Sequence, residues 1–241
     1  MIYVEDIRVD FIRKLHVGEY VQDKTGQKML EIVGASFVAD KPAIFGTPNE
    51  DYIQRELKWY ESQSLNVNDI EGSVPAAWKA AASSDGWINS NYGWMIYSNE
   101  NWNQYERVRE ELIAHPYSRR AVMIYTRPSI WSEYDLDGMS DFICTNAVQY
   151  LIRDGQLEVV VQMRSNDAWS GYRNDYAWAL YVQKKLASEL GIALGKITWQ
   201  AGSFHVYQKD FYLVDHCARS GEISIKKSEY KEKYPDSPWA K

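Results

Sequence analysis

Asn146-Ala-Val-Gln-Tyr-Leu-Ile152 and Gln156-Leu-Glu-Val-Val-Val-Gln-Met163 are two runs rich in β-formers, separated only by Arg153-Asp154-Gly155. An Asp-Gly pair suits a tight hairpin turn because both positions tolerate positive φ. The runs therefore pair antiparallel, and a purely parallel sheet is excluded. Upstream, Ala121–Thr126 is apolar enough for a buried strand. Asn99–Ala114 places Trp102, Tyr105, Val108 and Leu112 on one helical stripe. Asn49–Ser62 repeats the pattern with Ile53, Leu57 and Tyr60, behind Asn49 as a cap. Leu30–Val38 is a strand with Gly34 at its middle, a mark of a bulge or bend. Downstream, a helix from about Asn174 to Leu190 stops at Gly191, and Lys196–Ala201 is a further strand. The tail from Gly221, rich in Lys, Glu and Ser, is expected on the surface. No repeat or Pro/Gly/Ser linker divides the chain, so the expectation is one mixed α+β domain over residues 1–241.

The 241 residues are 45% hydrophobic and 25% charged, with a formal charge of −6. This composition suits a folded globular chain with a substantial core. The longest apolar runs fall far short of the roughly 20 residues of a membrane helix. Glu5, Asp6 and Asp10 stand where an export signal would be basic and then apolar. Two cysteines, Cys144 and Cys217, make neither a disulfide framework nor a four-cysteine zinc site. An acidic balance argues against DNA as the main partner, while leaving a small anion in a local basic pocket open. A soluble cytoplasmic protein without a metal is expected.

Several residues could carry chemistry. Cys144, at the entrance to the first hairpin strand, is either a nucleophile beside a cation or a small buried hydrophobe. Arg119-Arg120 pairs two guanidinium groups beside a turn, suiting either phosphate recognition or plain solvation. Arg164-Ser-Asn-Asp167 follows the second strand, as a ligand site or simply a loop. Glu56 beside its helix stripe reads by default as a solvated glutamate. His16, His115, His205 and His216 show no metal-ligand spacing, and the chain has no Gly-rich phosphate loop or Gly-x-Ser-x-Gly elbow.

Taken in order, the motifs resemble the thymidylate synthase superfamily, and within it the bacteriophage deoxycytidylate hydroxymethylases. The resemblance runs from Asp23-Lys-Thr-Gly26 to His205-Val-Tyr207. It rests on Arg55-Glu-Leu-Lys-Trp-Tyr60, Asn91-Tyr-Gly93, Ser118-Arg-Arg120, the Cys144 segment, Arg164-Ser-Asn-Asp167 and Gly171-Tyr-Arg-Asn-Asp-Tyr-Ala177. Each motif alone is unspecific; their order is not.

The resemblance implies a mixed sheet flanked by helices, two such sheets packing back to back in a homodimer. It makes Cys144 the nucleophile at pyrimidine C6, with Tyr92 nearby. Lys24, Arg164, Ser165 and Asn166 become nucleotide-binding residues, with Arg119 and Arg120 reaching in from the partner subunit. His205 and Tyr207 hold the deoxyribose 3′-hydroxyl, and Glu56 organises water and proton transfer. Asp167, Glu56 and Trp78 contact 5,10-methylenetetrahydrofolate, the implied co-substrate. Asp175 stands where thymidylate synthases carry Asn; its carboxyl group either reads cytosine or caps the helix that begins there. Lys24, Thr145, Met163 and the C-terminal Ser237-Pro-Trp-Ala-Lys241 depart from the synthase pattern and suit a site that admits water. The implied activity is hydroxymethylation of dCMP, with dUMP or CMP hydroxymethylation, thymidylate synthesis and a catalytically silent scaffold as rivals. A phage-encoded chain of this kind would act in the host cytoplasm, within nucleotide synthesis.

Overall fold

Gly155 (φ 74°) and Asp154 (φ 49°) both adopt left-handed backbone in the computed structural model, which describes residues 1–240. They join β4 (Thr145–Arg153) to β5 (Gln156–Asp167), in the register Arg153↔Gln156 through Ala147↔Gln162. The ladder then shifts, because Thr145 rather than Asn146 pairs with Met163. Asn146 is the extra residue of a bulge, and its carbonyl accepts from Tyr125 N and Thr126 N. β3 (Val122–Ile124) pairs antiparallel on the outer side of β4. β2 (Lys28–Val38) pairs antiparallel with β6 (Ala193–Tyr207), and short β1 (Val21–Gln22) with β2. Gly34 (φ 69°) drops out of the β2–β6 pairing, but the register is the same on both sides, Val33↔Ser203 and Ala35↔Ala201, so it marks a local kink and not a bulge. Among the described residues the sheet order is β1-β2-β6-β5-β4-β3. Ala193 N donates to Gly155 O at one end of β5 and Ala168 N to His205 O at the other, so β5 and β6 run parallel. The crossover between them is α7 (Ser170–Leu190), the connection a parallel pair requires. The sheet is therefore mixed, and the α+β expectation holds.

The chain forms two compact units. One comprises Met1–Pro48, Ser165–Ala177 and Thr198 onward. Here α1 (Val4–Val17), β2 and α8 (Phe211–Ser220) bury Phe11, Phe37, Phe45, Phe204 and Tyr172, whose rings pair at centroid distances of 5.4–6.0 Å. The tail from Gly221 is more than a solvated segment. It carries α9 (Lys227–Lys233) and buries Tyr230 completely. The Tyr230 hydroxyl donates to Asp215 Oδ2 and lies 2.6 Å from Ser237 Oγ. Lys241, the end of the C-terminal stretch read from the sequence, lies outside the described residues.

The other unit comprises Asn49–Arg164 and Trp178–Ile197. It holds α2 (Glu50–Ser62), α3 (Ala76–Ala81), α4 (Tyr92–Tyr97), α5 (Gln104–Ala114), α6 (Ile130–Glu133) and most of α7. The helix expected over Asn99–Ala114 is broken: Trp102 (φ 65°) and Asn103 (φ 41°) turn left-handed, and α5 begins at Gln104 with Asn103 Oδ1 accepting from Glu106 N. Conversely, α7 begins four residues before Asn174, because Asp167 caps it: its Oδ1 accepts from Trp169 N at 2.8 Å and its Oδ2 from Ser170 Oγ at 2.7 Å. The α2 and α4 helices cross so closely that a Cβ on Gly93 would stand 1.7 Å from the Tyr60 carbonyl oxygen. This approach stacks Tyr60 on Tyr92 at 5.3 Å. Gly93→Ala is therefore expected to lower stability by about 3 kcal/mol or more, as overpacking against rigid backbone does, read as a drop in the urea midpoint.

Candidate active site

Cys144 precedes β4 at the end of an irregular run, residues 139–143, and is half-buried. Arg164 lies opposite it on β5. Its backbone N donates to Cys144 O at 2.9 Å, its Nε to Ile143 O at 3.0 Å and its Nη2 to Phe142 O. The same Nη2 stands 3.6 Å from Cys144 Sγ, and the guanidinium carbon lies 4.9 Å from the Phe142 ring centroid. A guanidinium so placed favours the thiolate over the thiol. Thr145 Oγ1, buried, hydrogen-bonds the Tyr92 hydroxyl at 2.9 Å. The sequence-predicted Cys144, Tyr92 and Arg164 are thus linked through one short segment.

Glu56 is buried, not solvated. Its Oε1 accepts from the Tyr52 hydroxyl at 2.5 Å and from Trp78 Nε1 at 3.0 Å, and the same indole N–H lies 2.9 Å from the Tyr52 oxygen. Burial raises the Glu56 pKa, against the two hydrogen bonds that favour its anion. Burial and the Glu56 charge hold the Tyr52 hydroxyl protonated. The result is a buried carboxyl group whose proton affinity is raised and one of whose oxygens is already held by two donors. Trp78 therefore helps order Glu56.

In the first unit, Asn166 and Asp175 form a pair. Asn166 Nδ2 donates to Asp175 Oδ2 at 2.7 Å, while Trp199 Nε1 donates to Asn166 Oδ1 at 3.2 Å. Asp175 lies inside α7, so it does not cap that helix; Asp167 does. The amide holds one oxygen of the Asp175 carboxyl group. A Cβ on Gly171 would lie 3.1 Å from Asn166 Nδ2 and 3.6 Å from Asp175 Oδ2. His205 is buried, and burial lowers its pKa, leaving a neutral imidazole. Its ring lies 4.9 Å from that of Tyr207, edge to face. Lys24 is exposed at the tip of the β1–β2 turn, which Asp23 closes by accepting from Thr25 N and Gln27 N. Ser165 is half-buried next to Arg164.

Arg119 and Arg120 are exposed between α5 and β3. Sequence reading gave no role to Tyr52, Asp141 or Asp210. Tyr52 precedes Glu56 by one helical turn, a spacing that could have signalled the hydrogen bond. Asp141 and Asp210 gave no local signal, because their burial arises from distant parts of the chain. Among the described residues, no group of three His, Cys, Asp or Glu is placed to hold a metal ion, and no helix is long and apolar enough to cross a membrane.

The thymidylate synthase profile covers residues 10–228 of the chain. The chain belongs to the thymidylate synthase family. It is 54% identical over 238 residues to the deoxycytidylate 5-hydroxymethyltransferase of Enterobacteria phage T4, covering 96% of this chain and 97% of that protein. The phage T6 enzyme of the same name is also 54% identical, over 95% and 96% of the two chains. Similarity to the thymidylate synthase of Bacillus subtilis subsp. natto is lower: 28% identity over 64% of this chain and 56% of the synthase.

Asp210 gives the first unit a measurable pH dependence. Its carboxyl group is buried at the start of α8, its Oδ2 lacks a hydrogen-bond partner, and burial pushes its pKa up to about 7. Lys209, Lys227 and Arg173 oppose the rise and Asp167 adds to it. Between about pH 4 and 7 the folded chain keeps a proton that the unfolded chain has lost, so this group's contribution to stability falls as pH rises. Asp210→Asn is expected to be more stable than the parent at pH 8 by about 1–2 kcal/mol, with the difference vanishing near pH 4 in thermal melts.

Proposed function

We propose that this protein is a dCMP hydroxymethylase. It takes the one-carbon unit of 5,10-methylenetetrahydrofolate onto C5 of dCMP and hydrates it, giving 5-hydroxymethyl-dCMP and tetrahydrofolate. The observation that carries the reading is the 54% identity, over almost both full lengths, to the phage T4 deoxycytidylate 5-hydroxymethyltransferase. The site geometry supports the chemistry.

The folate supplies a carbon at the oxidation level of formaldehyde; the chain does the rest. Cys144, as thiolate beside Arg164, adds to C6 of the pyrimidine and pushes the C5–C6 electron pair toward C5. C5 thereby becomes a carbon nucleophile and accepts the methylene group. Loss of the C5 proton and departure of tetrahydrofolate leave an exocyclic methylene. Glu56, held by Tyr52 and Trp78, positions the water that adds to this carbon and moves its proton. The C6–S bond then breaks and returns the thiolate.

Asp175 reads the base. Cytosine offers a 4-amino donor and an N3 acceptor; one carboxyl oxygen accepts from the first, and a protonated carboxyl donates to the second. Asn166 holds one oxygen of that group. A uracil would leave buried polar groups unpaired, which is the strongest source of rejection in a closed site. His205 and Tyr207 hold the 3′-hydroxyl, and Asp167 receives donors of the folate while its other bonds start α7. The phosphate is taken by Lys24, Arg164, Ser165 and the exposed Arg119 and Arg120 of a second subunit. Exposed Val33 on β2 and Ile124 on β3 suit strand faces that pack against such a copy. We read the chain as one domain, since each compact unit is assembled from interleaved segments and β5 and β6 each run through both. Host cytoplasm is the expected location.

Two experiments test the reading. Incubation with methylenetetrahydrofolate and, separately, dCMP, dUMP or CMP is expected to add CH2O to dCMP without forming dihydrofolate. A methyl group on dUMP with dihydrofolate would instead make the protein a thymidylate synthase, and turnover of CMP would place its preference on ribose. Cys144→Ala is expected to abolish turnover while dCMP still binds, and Asp175→Asn to move the dCMP/dUMP ratio of kcat/KM toward dUMP by about 100-fold or more. An unchanged ratio would remove Asp175 as the base reader.

A further inference from the structure

Cys144 is delivered by a stretch of chain without ladder hydrogen bonds of its own, residues 139–143. Such a segment keeps its shape only through what its side chains and carbonyls reach. Asp141, three residues before the thiol, is buried and makes three bonds to the chain just ahead of α4. Its Oδ2 accepts from Asn89 N at 2.6 Å and Ser90 N at 2.8 Å, and its Oδ1 accepts from Ser90 Oγ at 2.6 Å. Asn89 Nδ2 returns a bond to Asp141 O at 3.2 Å. On the other side of the thiol, Thr145 is tied to Tyr92 in the same run, 89–92. Two attachments to one short run therefore bracket Cys144, one three residues upstream and one immediately downstream.

The carbonyl groups between these anchors are the ones Arg164 uses. Its Nε and Nη2 reach Ile143 O and Phe142 O before Nη2 meets the sulfur. If the upstream anchor slackened, those carbonyls would move and the guanidinium with them. The Asp141 charge also lies within the field of Arg164, whose pull, with the bonds from Ser90 and Asn89, works against the rise in pKa that burial imposes.

We infer that Asp141 is a positioning residue for the nucleophile: with Thr145 it clamps segment 141–145 onto residues 89–92 and so holds the Cys144 thiol against Arg164. The inference rests on Cys144 being the nucleophile of the proposed reaction. The side-chain hydrogen bonds of Asp141 go to Asn89 and Ser90.

Asparagine can replace the hydrogen-bonding function. Its oxygen can accept from both backbone N–H groups while its NH2 donates to Ser90 Oγ, whose hydroxyl rotates. Alanine cannot. Asp141→Ala is therefore expected to lower kcat by about 100-fold with the Kd for dCMP within about threefold. It is also expected to move the midpoint of Cys144 alkylation by iodoacetamide about one pH unit higher. Peptide mapping separates Cys144 from the buried Cys217. Asp141→Asn is expected to restore both readouts to within about fivefold of the parent. Should Asp141→Ala fail to fold, Ser90→Ala and Thr145→Val, each removing one side-chain bond, are expected to shift both readouts the same way by smaller amounts. The inference is overturned if kcat and the alkylation profile stay at parental values, if Asn proves as damaging as Ala, or if Kd weakens in step with kcat. The parent protein's own product assay is run alongside. No hydroxymethyl product from the parent would defeat the functional reading, whereas the alkylation profile still reports on the clamp.

Discussion

One extra residue in β4 decides what Cys144 faces. From Arg153↔Gln156 to Ala147↔Gln162 the hairpin keeps a single phase, which continued unbroken would set Cys144 opposite Ser165. The bulge at Asn146 shifts the phase by one, and Cys144 meets Arg164 instead, with Arg164 N on Cys144 O. Since strand side chains alternate between faces, a one-residue slip exchanges what each face presents. The Asp154-Gly155 turn sets the first phase and the bulge resets it, so the pairing of thiol and guanidinium follows from two backbone features some ten residues apart.

Burial then sets the proton chemistry. Glu56 has its anion disfavoured by burial and retained by two donors, so its position between the charged and neutral forms is a balance of opposing effects. His205 is held neutral by the same physics acting on a base. Asp141 is kept by three hydrogen bonds of the kind that make a buried carboxylate tolerable. The hydrogen-bond partners of Glu56 and Asp141 are supplied by the chain itself.

Much of this was legible in the order of residues. The hairpin turn, the strand kinked at Gly34, the Asn49 cap of α2 and the Gly191 stop of α7 each follow from local chemistry, because a turn or cap needs only neighbours within a few positions. The break before α5 was not legible. Asn99–Ala114 carries a continuous helical stripe, yet Trp102 and Asn103 leave the helical region so that Asn103 can cap a shorter helix. The start of α7 was read too late because its cap, Asp167, belongs to the end of a strand. The tail beyond Gly221 looked solvated by composition, but Tyr230 is buried through contacts with residues of α8.

The sequence by itself determined the element types, the α+β class, the family through its ordered motifs, and Cys144, Arg164, Glu56 and Asp175 as the residues to examine. Tertiary structure alone decided that Glu56 is buried and bound by Tyr52 and Trp78, that Asn166 rather than a helix end holds Asp175, and that Asp141 anchors the thiol's segment. The reason is separation along the chain. Asp141 reaches Ser90 across 51 residues and Asn166 is fixed by Trp199 across 33. No local pattern encodes a hydrogen bond that exists only once the strands have paired and the helices have closed over them.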